Sequence, residues 1–122
     1  MQLLLHTETF VDSAHHLRGY DGKCSRTHGH LWRIRVWIKG DSEQCDSVGI
    51  LFDFGNIKKL QEKLDHYDIN TIEPFDKVNP TAENLCRYFY EELNEMSPNL
   101  YFRVRVYETV VGKKTWCECG DF

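Results

Sequence analysis

The sequence has 122 residues, enough for one hydrophobic core and too few for two. A formal net charge of −4 excludes a chain that holds nucleic acid mainly through phosphate contacts. The apolar start, Met1-Gln2-Leu3-Leu4-Leu5-His6, is too short for a signal peptide or a membrane span, so a single cytoplasmic domain over residues 1–122 with no membrane partner is expected.

Residues 2–14 read as a first strand, with Leu3, Leu5 and Val11 on one parity and Leu4, Phe10 and Ala14 on the other. His15, at its end, continues the parity of Val11 and Ser13. Residues 16–27 are polar and contain Gly19 and Gly22, which predicts a long connection or a lid-like loop. Residues 28–39 form a second strand, on which His28 and His30 share a face with Trp32, Ile34, Val36 and Ile38. A turn region over 40–48 follows, and the apolar run 49–54 is expected as a short third strand.

A helix comes next, capped by Asp53 or Asn56, with Ile57, Leu60 and Leu64 inward and Lys58, Lys59, Glu62 and Lys63 on the solvated side. Asn79-Pro80-Thr81-Ala82-Glu83 announces a second helix: Asn79 or Thr81 as cap, Pro80 in the first turn, and Leu85, Phe89, Leu93 and Met96 as its core stripe. Ser97-Pro98-Asn99 ends it. Residues 100–111 alternate again, placing Phe102, Val104, Val106, Glu108 and Val110 on one face, and Gly112-Lys113-Lys114 turns the chain into a last strand over 115–119. Runs of strands and helices, rather than strict alternation, predict an α+β fold: an antiparallel sheet with its helices on one face.

The five cysteines are odd in number, lack framework spacing and are expected as free thiols. Cys86 fits the core of the second helix, Cys45 lies in a polar loop, and Cys117 and Cys119 form a C-x-C that is a weak metal signal alone. Chemistry concentrates elsewhere. His15, His28 and His30 have the composition of a catalytic zinc site, which keeps an open position, and an antiparallel pairing of the first two strands could bring them together. His16 competes with His15 but has the opposite parity. Cys24, between Lys23 and its near neighbour Arg26, could close that site as a fourth ligand or stand beside an open one as nucleophile or proton carrier. Asp65-His66 could serve as an oriented base for such a thiol, or be a surface pair at a helix end. Glu108 lies on an apolar parity, where a carboxylate is costly without a partner; a guanidine-like edge of a ligand would pair with it, and the alternative is a strand-end residue reaching solvent.

These features, in this order, resemble the 6-pyruvoyltetrahydropterin synthase / 6-carboxytetrahydropterin synthase family. The matching pieces are Ser13-Ala14-His15-His16-Leu17, Cys24 followed after three residues by His28-Gly29-His30, Phe52-Asp53-Phe54, Leu64-Asp65-His66, Asn79-Pro80-Thr81-Ala82-Glu83 and Glu108-Thr109. The resemblance implies the tunnelling fold (T-fold), in which protomers assemble into barrels, usually homohexamers built as a dimer of trimers, with active sites between subunits. It implies one Zn2+ per subunit on His15, His28 and His30, Cys24 as acid/base thiol, and His66 oriented by Asp65 as its relay partner. Glu108, with Thr109 and Phe54, would bind a small-molecule pterin. The three-residue spacing from Cys24 to His28 is similar to the carboxy-forming subgroup of 7-deazaguanine (queuosine) biosynthesis. That subgroup converts 7,8-dihydroneopterin triphosphate and water into 6-carboxy-5,6,7,8-tetrahydropterin, acetaldehyde and triphosphate. The alternatives are a pyruvoyl-forming activity on the same substrate, or a non-catalytic protein whose zinc is closed by one cysteine and three histidines. Ile50 departs from members that carry an aromatic residue there, and the C-x-C tail is unusual for the family.

Overall fold

Two long segments with a polar residue at every second position need a partner that buries one face of each and leaves the other wet. In the computed structural model, which describes residues 1–112 and 114–122, they pair with each other. Strand β1 (Gln2–His15) lies antiparallel to β2 (His28–Asp41), in a register that runs from Gln2 opposite Asp41 to His15 opposite His28. Strand β3 (Tyr101–Tyr107) adds to the other edge of β2, and β4 (Trp116–Gly120) to β3, giving one four-stranded antiparallel sheet in the order β1-β2-β3-β4. The turn expected at Gly112-Lys113-Lys114 includes Lys113, which lies outside the described residues.

Helices α1 (Gly55–Leu64) and α2 (Ala82–Met96) connect β2 to β3 and cover one face of the sheet. Val11, Trp32, Ile34, Val36, Ile38, Phe102, Val104 and Val106 come from the sheet, and Ile57, Leu60, Leu64, Leu85, Phe89 and Leu93 from the helices; all are buried in one core. Each such side chain contributes about 1.5–3 kcal/mol by leaving water. The Thr81 hydroxyl accepts from the Asn84 amide and caps α2, while the Asp53 carboxylate accepts from the Gly55 amide at the start of α1. Cys86 is buried as expected; its thiol donates to the Val104 carbonyl and sits 3.3 Å from the Cys119 sulfur. Gly120 is required where β4 meets β3: its φ is +147°, and a Cβ there would run into the Phe102 carbonyl oxygen.

Three expectations are corrected. The run 49–54 is not a strand: Asp46 accepts from the amides of Val48 and Ile50 and its own amide donates to the Ile50 carbonyl, so the polar groups close a loop, while Phe52 plugs the core beside Phe102. Met96 is 39% exposed, because the last turn of α2 passes beyond the core. Pro80 precedes the cap of α2 rather than entering its first turn. Between the helices, Ile69 and Phe75 are fully buried as well. Replacing Phe89 by Ala is expected to cost about 3–5 kcal/mol in chemical denaturation, whereas Met96→Ala should stay within about 0.5 kcal/mol of the parent.

Candidate metal centre

The β1–β2 register builds the site. Directly paired residues of an antiparallel ladder share a face, so His15 opposite His28 and Ser13 opposite His30 place three imidazoles on the core side of the sheet at one end of the ribbon. Trp32, 1% exposed, forms the floor, with its ring edge-on to His15 at 5.0 Å and to His30 at 5.4 Å. His15 Nε2 stands 3.1 Å from His28 Nε2, which stands 3.1 Å from His30 Nε2.

Hydrogen bonding sets the direction of the lone pairs. His15 Nδ1 lies 2.8 Å from the Pro80 carbonyl and His28 Nδ1 lies 2.7 Å from the Arg26 carbonyl. A carbonyl only accepts, so in the neutral rings both Nδ1 atoms carry the proton and both Nε2 atoms present lone pairs to each other. Burial is the main reason the pKa of His15 falls below the usual histidine range, with His28 and His30 adding to the effect and the Pro80 bond and Glu108 opposing it. His30 is lowered as well, again chiefly by burial, against the opposing pull of Glu108. Unprotonated Nε2 atoms at 3.1 Å repel unless a cation sits between them. Four ligands about 2.0–2.1 Å from a tetrahedral metal stand about 3.3 Å apart, close to the spacing found here. The ligand atoms of His15, His28 and His30 all lie within 4.8 Å of one another and could hold a metal ion. Orienting carbonyls behind metal-bound imidazoles are the usual outer shell of such a site.

His28 and His30 face a cavity of about 530 Å³, whose other walls are Lys23, Cys24, Arg26 and Glu108. Cys24 sits in a 3-10 turn, Lys23–Ser25, half-buried, and its sulfur is not part of the three-histidine ligand cluster. Glu108 follows the last residue of β3, its side chain 36% exposed, with Oε1 3.5 Å from His30 Nε2 and 3.9 Å from His15 Nε2. Burial holds these rings neutral, so the contacts place a carboxylate oxygen beside the centre rather than forming ion pairs. A groove of about 590 Å³ between α1 and α2 is larger but carries neither a thiol nor a histidine.

Other candidate residues lie elsewhere. Asp65 and His66 end α1 at the outer edge of β1, where the His66 amide donates to the Asp12 carbonyl and the Asp12 amide to Asp65 Oδ1. His66 Nδ1 donates to Asp65 Oδ2 at 2.8 Å. Partial burial pushes the Asp65 pKa up, but the Asp12 amide and the His66 ring together hold it below the usual carboxylate range. The His66 ring is 78% exposed and does not line the histidine cavity of its own chain. Phe54 is exposed beside a separate groove near Leu3 and Ile50, and the Thr109 hydroxyl bonds the Val111 backbone. His16 stays out of the cluster, as its parity predicts; its backbone is held by Asn70. The sequence reading missed the Pro80 carbonyl and Asn70, which leave no mark of spacing; a buried asparagine becomes visible only from the fold.

The purified chain is expected to bind one equivalent of a divalent transition metal. His28→Ala should weaken that binding by about 100-fold or more in a chelator competition, while Cys24→Ala leaves it within about threefold of the parent.

The chain matches the family profile described as 6-pyruvoyl tetrahydropterin synthase over residues 4–120. It is 29% identical over 113 residues to a protein of Synechocystis sp. named 6-carboxy-5,6,7,8-tetrahydropterin synthase, covering 87% of this chain and 86% of that one. It is 28% identical over 94 residues to the 6-pyruvoyl tetrahydrobiopterin synthase of Dictyostelium discoideum, covering 72% and 68%. The solved structure of Caenorhabditis elegans 6-pyruvoyl tetrahydropterin synthase superposes with a TM-score of 0.74 at 24% identity, over 98% of this chain and 96% of that one, and establishes the fold as theirs. With its three histidines gathered by the same fold, the chain belongs to the 6-pyruvoyl tetrahydropterin synthase family.

Proposed function

We propose that this protein, a single domain over residues 1–122, is a cytoplasmic zinc-dependent lyase. It converts 7,8-dihydroneopterin triphosphate and water into 6-carboxy-5,6,7,8-tetrahydropterin, acetaldehyde and triphosphate for 7-deazaguanine (queuosine) synthesis. The observation that carries the reading is the set of three imidazoles whose ligand atoms gather within 4.8 Å of one another, beside a cavity that also holds a thiol and a carboxylate. The three-residue spacing between Cys24 and His28 favours the carboxy-forming reaction, as does the likeness to the Synechocystis relative. The likeness to the Dictyostelium relative supports a second reading, pyruvoyl formation from the same substrate on the same site. A zinc site closed by Cys24 as a fourth ligand fits less well, since the sulfur stands apart from the cluster. Among the described residues no helix is long and apolar enough to cross a membrane.

When bound by His15, His28 and His30, zinc supplies Lewis-acid polarisation of the substrate's side-chain oxygens. The remaining tasks fall to the chain's own residues. Glu108 accepts two hydrogen bonds from the amino-pyrimidine edge of the pterin and so fixes its orientation, with Thr109 beside it; Phe54, at a separate groove of its own chain, would reach the pterin only from a neighbouring copy. Cys24 moves protons at substrate carbon, and Lys23 and Arg26 present positive charge to the triphosphate. His66, oriented by Asp65, relays the proton of Cys24. Because His66 is exposed at the outer edge of β1, it meets the Cys24 of a neighbouring copy. The outer edge of β4 and the N-terminal part of the outer edge of β1, before the stretch 10–14 that Gln61 and residues 65–67 cover, offer backbone groups through which copies close a barrel, as a homohexamer built from two trimers.

Cys24→Ala is expected to abolish turnover with metal content intact, and Glu108→Ala to weaken pterin binding by about 10- to 100-fold, read by titration calorimetry. Retained turnover in Cys24→Ala would remove the thiol from the mechanism. Co-assembly of inactive Cys24→Ala with inactive His66→Ala should restore about a quarter of the parental activity, the fraction of randomly formed interfaces with both groups intact. A mixture that stays inactive contradicts the shared site.

A further inference from the structure

Beyond the end of β1 at His15, the backbone groups of His16 and Arg18 bond on one edge and the Leu17 amide on the other. On one edge, Asn70 Oδ1 accepts from the His16 amide at 2.8 Å and Asn70 Nδ2 donates to the His16 carbonyl at 3.0 Å. Two residues on, Asn79 repeats the arrangement: Oδ1 accepts from the Arg18 amide at 2.9 Å and Nδ2 donates to the Arg18 carbonyl at 2.8 Å. The two carboxamides thus stand in for the backbone of a neighbouring strand. The residue between them faces the other edge, and there the Leu17 amide donates to the Cys24 carbonyl at 2.8 Å. Arg18 reinforces the clamp, its guanidinium donating to the Phe75 carbonyl.

Asn70 is 7% exposed and its pair of bonds is partly buried, whereas Asn79 is half-buried and its pair of bonds lies at the surface. Neither side chain caps α2; Thr81 does that. Each site also demands asparagine. Aspartate keeps the acceptor but loses the donor and sets a charge against a carbonyl, and alanine loses both groups. Pro80, next to Asn79, gives its carbonyl to His15 Nδ1, so the segment that orients a metal ligand also grips the start of the loop that carries Cys24.

We propose that Asn70 and Asn79 are positioning residues which, through the backbone of His16–Arg18 and the Leu17–Cys24 bond, hold the Cys24 thiol at the wall of the histidine cavity. The inference rests on the reading of Cys24 as proton carrier, and its test reads the placement of the thiol without turnover. Full-length Asn79→Ala and Asn79→Asp proteins are treated with iodoacetamide, and peptide mass spectrometry follows Cys24, with Cys45 in a distant loop as reference. Zinc affinity is measured on the same samples. Asn79 is the primary site because it is less buried than Asn70 and its loss is better tolerated by the fold.

With the clamp removed, Cys24 in Asn79→Ala should alkylate at least about threefold faster than in the parent, with Cys45 and zinc affinity unchanged within about twofold, and Asn79→Asp should fall between. In turnover, kcat should fall by about tenfold or more with KM moved by less than about threefold. An unchanged Cys24 rate overturns the inference. So does a parallel rise at Cys24 and Cys45 with zinc lost, which marks a general loosening of the fold. Should the parental protein lack turnover, the catalytic reading of Cys24 falls, and the alkylation difference alone decides the positioning claim.

Discussion

The register between β1 and β2 is the constraint on which the site depends. A slip of one residue would turn every inward side chain of one strand outward, and the core forbids it, because Val11 must face the helices opposite Trp32. With that pairing settled, His15 has no choice but to oppose His28. The Pro80 and Arg26 carbonyls then aim the remaining lone pairs at one point. Packing of the apolar face thereby maintains an arrangement of imidazoles that is unfavourable in itself. A metal ion turns that repulsion into binding, which is how a stable sheet can keep a strained donor set ready.

The rest of the molecule divides its labour around that end of the ribbon. Helix α2 covers the sheet, and the segment before it supplies Pro80 for one histidine and Asn79 for the loop that carries the cysteine. The end of β3 delivers Glu108 to the mouth of the cavity, where partial exposure lets a carboxylate face a ligand without the full cost of burial. Asp65 and His66 sit across the width of β1 from these groups, rigidly bonded to Asp12. Under the proposed reaction, these two groups of residues would be halves of one site, and the reaction would call for assembly.

Much of this was legible in the sequence, for physical reasons that differ by element. Strands β1 and β2 declare themselves because one face is wet and one dry, and the same alternation assigns His15 rather than His16 to the cluster. The stripe of Leu85, Phe89 and Leu93 is equally plain, but it gives no sign that the sheet ends before Met96. The run 49–54 misleads, since a short apolar segment can plug a core as well as extend a sheet, and only Asp46 and its turn bonds decide between them. Asn79 reads as a helix cap because the local motif allows it; its actual partner, Arg18, is distant in sequence. The separation of His66 from Cys24 within one chain is a tertiary fact that no spacing encodes.

The proposed chemistry requires an open three-histidine centre beside a free thiol. Electronic absorption of the cobalt(II)-loaded protein tests it most directly, because a thiolate bound to cobalt gives an intense charge-transfer band that imidazoles do not. An open three-histidine centre gives a tetrahedral cobalt spectrum without that band, unchanged in Cys24→Ala and abolished in His28→Ala. A thiolate band that disappears in Cys24→Ala would place the sulfur on the metal, close the site, and contradict the role given to the cysteine here.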